Sequence, residues 1–266
     1  MRVRLSDGAE LFYTIDDFTD PWTEPETVVL HHGLAKDHRF WYRWVPLLAR
    51  HYRVLRFDNR GMGQSDVPEP GYPFSLTSFG DDLRQLLDRL ELDRVHLIGE
   101  SVGGTVAYRF AYDHPERLLT LTTCGSPYEF TGPYYLASAE TVDREGTAVW
   151  VQRTTSMRLD PKVVSTEYAR WYAEQMSATR SWVVSSVLRG AAGADLSDIL
   201  RQIRVPTLVL ASGSLEGRAL GDYERAAHLI PGAKLVSFPE VTGFVQHVLP
   251  ERCAEAWLSF AEQARS

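Results

Sequence analysis

The chain of 266 residues carries 35 acidic against 28 basic side chains, for a formal net charge of −7, and 44% of it is hydrophobic. That apolar fraction excludes a disordered chain, and only 19 Gly and 14 Pro exclude a collagen-like or low-complexity one. The anionic balance argues against a nucleic-acid partner, which rewards surplus cations through counterion release. At this length one large domain, or one domain with an insertion, is expected. Cys124 and Cys253 build neither a disulfide framework nor a metal-ligand spacing and read as core packing. The first residues lack the apolar stretch of a signal peptide, and no run reaches the eighteen or more apolar residues of a membrane span. The expectation is a cytoplasmic protein without membrane contact.

In chain order, residues 2–15 with Asp7-Gly8 at their centre read as an antiparallel hairpin. Short β-branched runs follow at 27–31, 52–57, 94–98, 118–122, 207–211 and 234–238, each bounded by turn residues and apolar enough for strands buried on both faces. Between them, Phe79, Leu83, Leu86, Leu87 and Leu90 recur at helical spacing. Strand alternating with helix predicts an α/β architecture, a mostly parallel twisted sheet covered on both faces. One stretch, 126–197, has helical patterns and no strand. In it Asp160-Pro161 suits an N-cap and first turn for a helix carrying Val164, Tyr168, Trp171 and Tyr172. This block is a candidate helical lid, set between core segments 1–125 and 198–266. Its concentration of aromatics makes Tyr128, Trp150 and Trp171 candidate substrate contacts, or else a small core of the block itself.

The strongest chemical signal is Gly99-Glu100-Ser101-Val102-Gly103-Gly104, with a buried strand leading in and a helix-compatible stretch leading out. Strand, sharp turn and helix are what a nucleophile elbow needs: the glycines allow a tight bend that lifts the Ser101 hydroxyl above the sheet. The helix N-terminus places N–H groups and partial positive charge where an oxyanion would form. His31-His32-Gly33-Leu34, after an earlier strand, offers a second N–H, that of Leu34, to pair with that of Val102. Asp58-Asn-Arg-Gly-Met-Gly-Gln-Ser65-Asp66 forms a polar, Gly-rich turn in which Asp58 and Arg60 are either catalytic or, as the ordinary case, structural. Glu100 is either a pocket carboxylate or a solvated charge at the helix start, the latter being the ordinary case.

These motifs, in this order, resemble the α/β-hydrolase superfamily, in particular its single-lid esterases, enol-lactonases and C–C-bond hydrolases. The resemblance covers nearly the whole chain, through Val205-Pro206 and the strand after it. It implies a serine nucleophile followed in the chain by an acid and then a histidine base. Here the chain departs from the pattern. Counting back from Pro250-Glu251 puts Gly243 at the histidine position, with His247 four residues later. The register after 207–211 puts Leu215 at the acid position, and a one-residue shift makes Glu216 the best candidate. Either the loop bends to bring His247 to Ser101, or Gly243 is an introduced substitution, or the departure is natural; His32 and His38 are substitute bases. The expected function is hydrolysis of a small carboxylic ester or lactone through Ser101. The alternative is a non-hydrolytic lyase, decarboxylase, cyclase or ligand-binding member. No metal-ligand spacing and no nucleotide fingerprint appears, so no cofactor is expected, and the partner is a small-molecule substrate. Oligomeric state is not readable.

Overall fold

A computed structural model describes residues 1–215 and 218–265. Its sheet is built from β1 (Arg2–Arg4), β2 (Glu10–Asp16), β3 (Thr27–His31), β4 (Arg53–Phe57), β5 (Val95–Glu100), β6 (Leu118–Cys124), β7 (Thr207–Leu215), β8 (Arg218–Ala219) and β9 (Lys234–Thr242). They pair in the order β1-β2-β4-β3-β5-β6-β7-β8, with β9 also on β7. The pairs β4-β3, β3-β5, β5-β6, β6-β7 and β7-β9 are parallel; β1-β2, β2-β4 and β7-β8 are antiparallel. All residues of β3 and β5 are buried, as expected of strands covered on both faces. The two-residue β8 was too short to leave a periodic signal.

Period-two alternation divides the core in two. Val29, Leu55, Leu97 and Leu121 point to one face, against Leu83, Leu86 and Leu87 of α2 (Leu76–Arg89) and Tyr108 and Phe110 of α3 (Val102–Asp113). Val28, Leu30, Val54, Ile98 and Leu208 point to the other, against Trp41, Trp44, Leu48 of the short helix α1 (Val45–Leu48) and Trp257 of the C-terminal helix Pro250–Ala264. Cys124 and Cys253 are free, buried thiols in this second layer. In α2, Ser75 and Ser78 cap the N-terminus reciprocally. Such a cap contributes about 1 kcal/mol, while each buried Leu contributes roughly 1.5–3 kcal/mol. Burial, not capping, therefore holds α2 to the sheet.

Between β6 and β7 lie α4 (Tyr134–Glu145), α5 (Thr147–Arg158), α6 (Thr166–Ser177) and α7 (Ser181–Ala191). They pack mainly among themselves, through Val142, Val151, Tyr172, Val183 and Leu188, and onto Phe40, Phe74 and Phe79 of the layers below. The helix expected at Asp160-Pro161 starts five residues later, capped by Ser165. Asp160 instead accepts the N–H groups of Lys162 and Thr242, at 2.9 and 3.1 Å, tying the entry to α6 to the end of β9. A long-range bond outcompetes the local cap. Among the described residues, no helix is long and apolar enough to cross a membrane.

Candidate active site

β5 ends at Glu100 and α3 begins at Val102, so Ser101 alone turns strand into helix. Its backbone sits at φ 52° and ψ −129°, a conformation that costs a non-glycine residue about 1–3 kcal/mol. The bend folds helix onto strand so tightly that a Cβ on Gly99 would lie 2.6 Å from Gly104 Cα. Packing holds the strain: Ser101 N donates to Cys124 O at 3.2 Å, and its carbonyl accepts Gly104 N and Thr105 N at 3.0 and 3.1 Å.

The loop after β3 runs directly beside the serine. A Cβ on Gly33 would stand 2.9 Å from Ser101 Cβ and 3.4 Å from Oγ, so no larger residue fits. Among the described residues, Ser101 Oγ and the N–H groups of Leu34 and Val102 take part in no hydrogen bond. A hydroxyl and two amide donors therefore share one wall of a narrow cavity of about 40 Å³. Helices α5, α6 and α7 roof it with Trp150, Met176 and Leu188.

Glu100 is not the solvated charge that its place at a helix start suggests. It is fully buried, because β5 carries it beneath the elbow, and four donors converge on it. Gly33 N reaches Oε1 at 3.2 Å, while Lys36 Nζ, His247 Nε2 and Gln246 Nε2 reach Oε2, the first two at 2.8 and 2.7 Å. Burial alone would raise this carboxyl's pKa, but the charge of Lys36 and the bond from His247 outweigh it and hold it well below the usual carboxylate range. Lys36, equally buried, also lies 4.0 Å from the Phe244 ring centroid.

This arrangement corrects the expectation that His247 reaches Ser101. Its Nε2 faces Glu100, and its Nδ1 lies 3.2 Å from the Tyr168 hydroxyl. Burial lowers its pKa, so the ring is neutral. The tautomer that satisfies both neighbours donates from Nε2 to Glu100 and accepts at Nδ1 from Tyr168. Both nitrogens are spent, and none is left for the serine.

Gly243 leaves no cavity for an added imidazole either. It has φ +82° and bridges to Leu159, and a Cβ there would lie 2.4 Å from the Arg158 carbonyl oxygen. A Gly243→His variant is therefore expected to lose about 2 kcal/mol or more of stability, from the left-handed backbone and the clash. It should gain no ester hydrolysis; thermal melts alongside an esterase assay check both. Glu216 lies outside the described residues.

The aromatic candidates divide. Trp150 lines the cavity. Tyr128 instead belongs to the core layer of Leu196 and Leu200, and Trp171 packs on Phe40, Tyr42 and Tyr168. His32 bonds the Gly33 carbonyl and Asn59 N, and His38 bonds Asp58, so both are turn-holding residues. Asp58 accepts the N–H groups of His38 and Gln64, and Arg60 pairs with Asp82 and Asp7. Lys36, Arg158 and Arg218 also line the cavity, and sequence reasoning passed over all three. The only local signal was for Lys36, a cation three residues beyond Gly33. The arginines lie on α5 and β8, which only the fold brings together.

Comparison with known proteins matches the family model described as the alpha/beta hydrolase fold over residues 26–240. The chain is 30% identical over 190 residues to 3-oxoadipate enol-lactonase 1 of Acinetobacter baylyi, covering 70% of each chain. Among solved structures, a hydrolase from Pseudomonas aeruginosa PA01 superposes with a TM-score of 0.88 at 29% identity, covering 98% of this chain and 97% of that one. A malate-bound thermophilic esterase from Thermogutta terrifontis gives 0.89 at 25% identity over the whole of both chains. With its mostly parallel sheet, its strained serine at the end of β5 and a match spanning most of its length, the chain belongs to the α/β-hydrolase fold family, and the three relatives just described are hydrolases.

Proposed function

We propose that this protein hydrolyses a small carboxylic ester or lactone by acyl transfer to Ser101, beneath a lid formed by residues 126–197. The observation that carries the reading is the strained Ser101, its hydroxyl unbonded among the described residues beside the two unspent N–H groups of Leu34 and Val102. In the reaction Oγ attacks the substrate carbonyl carbon and gives up its proton to water, and the carbonyl oxygen gains charge within reach of those two donors. The ester C–O bond then breaks, the alkoxide leaves as the alcohol by taking up a proton from water, and a second water hydrolyses the acyl-serine to the free acid. Donors fixed in advance favour the tetrahedral state because they need no reorganisation when the charge forms. The relatives named enol-lactonase and esterase support ester or lactone substrates.

Among the described residues no side chain accepts the Ser101 proton. Loss of the histidine from a working triad costs on the order of 10⁶ in turnover, while roughly 10³–10⁴ over water survives from binding and the oxyanion hole. Turnover is accordingly expected to be slow. A fluorophosphonate probe should label Ser101 over hours, and Ser101→Ala should abolish the adduct and lower p-nitrophenyl acetate hydrolysis by about 10²-fold or more. Absence of any adduct on the parent protein would sink the acylation reading. One observation favours a second reading: the backbone at Gly243 closes the place of the usual base. In that reading the same donors hold an enolate or a ligand without hydrolysis, and a carbonyl ligand binds while ester turnover stays at the buffer rate.

A further inference from the structure

Gly33 is the residue at which the Leu34 donor can be lost. Without a Cβ it leaves the Gly33–Leu34 peptide free to rotate, and half a turn would present the carbonyl to the cavity in place of the Leu34 N–H. Two side chains remove that freedom. Glu100 Oε1 accepts Gly33 N at 3.2 Å, which fixes the peptide before the glycine. His32 Nδ1 lies 2.8 Å from Gly33 O, and Lys36 N donates to the same oxygen at 3.4 Å, which fixes the peptide after it. That peptide is trans, so its N–H points opposite to its carbonyl. The Leu34 N–H is therefore turned away from His32, and among the described residues it meets no acceptor.

The bond from His32 requires one tautomer. Asn59, in the turn after β4, donates its backbone N–H to Nε2 at 2.9 Å, so that nitrogen is an acceptor. A neutral imidazole then carries its proton on Nδ1, the nitrogen that faces Gly33 O. Burial keeps the ring neutral, because it penalises the charged form. The turn after β4 thus sets the proton on His32, His32 sets the Gly33 carbonyl, and the carbonyl sets the Leu34 N–H. His32 itself is not among the residues that line the cavity. We infer that His32 is a positioning residue, which holds the Leu34 N–H toward the carbonyl oxygen of the substrate. This deepens the proposed function and rests on it for the identity of that oxygen, while the run of bonds from Asn59 to Leu34 can be tested without turnover.

Two conservative variants separate the two bonds of the ring. His32→Asn puts an amide NH₂ in the place of Nδ1 and keeps the bond to Gly33 O. His32→Gln reaches instead to the place of Nε2 and keeps only the bond from Asn59. Each loses one bond, so the two should melt at similarly lowered temperatures. Reaction of Ser101 with the fluorophosphonate should split them, with the half-saturating probe concentration little changed in either. The limiting rate should fall on the order of 10²-fold in His32→Gln, as on removal of an oxyanion donor, and stay within about 3-fold of the parent in His32→Asn. Equal limiting rates in the two variants, whether parental or reduced, would overturn the inference. Histidine-nitrogen NMR spectra of the parent protein need neither a folded variant nor a reaction: His32 should carry its proton on Nδ1, and a proton on Nε2 would overturn the inference. If the parent forms no adduct the hydrolytic reading falls, and a crystal structure of His32→Gln then decides. A turned Gly33–Leu34 peptide upholds the role of His32, and an unturned one ends it.

Discussion

Replacing Glu100 by Gln should lower the melting temperature by about 10 °C, from the loss of about 3–5 kcal/mol that follows when one partner of a buried ion pair is removed. The neutral amide takes the Glu100 charge away from the Lys36 ammonium, which lies buried beside Phe244 and Tyr172. It also loosens the anchor that joins the Gly33 loop, the elbow and the segment carrying Gln246 and His247. Lys36→Met should cost a comparable amount, for the converse reason. The double variant Glu100→Gln with Lys36→Met should recover part of either loss, because no charge is then left buried and the amide oxygen still accepts from the remaining donors. Chemical denaturation of the four proteins measures the coupling. Strictly additive losses would show that the pair is not a unit.

Stability should fall steeply between pH 7 and pH 5. Among the described residues four buried histidines, His31, His32, His96 and His247, are held below their ordinary pKa chiefly by burial, His31 down to about 3. A histidine whose pKa is lowered by folding binds its proton more readily in the unfolded chain, so acidification favours unfolding. The effect begins as pH drops through the ordinary value of 6.5 and continues until the folded value is reached. At pH 5 His31 alone removes about 2 kcal/mol. His32, His96 and His247 act with the same sign, against a total stability of about 5–15 kcal/mol for a typical domain. Glu100 acts below about pH 4.5: its depressed pKa contributes stability above the unfolded value that is lost as pH falls toward the folded one. Urea midpoints measured from pH 7.5 to 5 check this, and a flat profile would mean that these imidazoles are not held neutral.

The two effects differ in how visible their causes are along the chain. Each buried strand was readable because its apolar run and its turn residues are neighbours in sequence, and β3 spans the expected residues 27–31. The elbow was readable for the same reason: Gly99, Gly103 and Gly104 flank one serine and report a bend that closes locally. Glu100 was misread because its partners lie 64 and 147 residues away. For Tyr128 and Trp171 the sequence leaves substrate contact and core packing both open, because aromatic content marks an apolar neighbourhood but not which side of it meets the cavity; the structure packs both against other side chains.

Local order therefore determined the layered α/β architecture, the helical block after β6 and the place of the strained serine, since periodicity, turn chemistry and glycine tolerance act over a few residues. The tertiary structure decided that His247 serves Glu100, that the chain at Gly243 is closed by the Arg158 carbonyl, and that two arginines from α5 and β8 meet in one cavity. Those facts depend on which distant groups share a low-dielectric space, where charge and hydrogen-bond partners are chosen by proximity in three dimensions rather than by spacing along the chain.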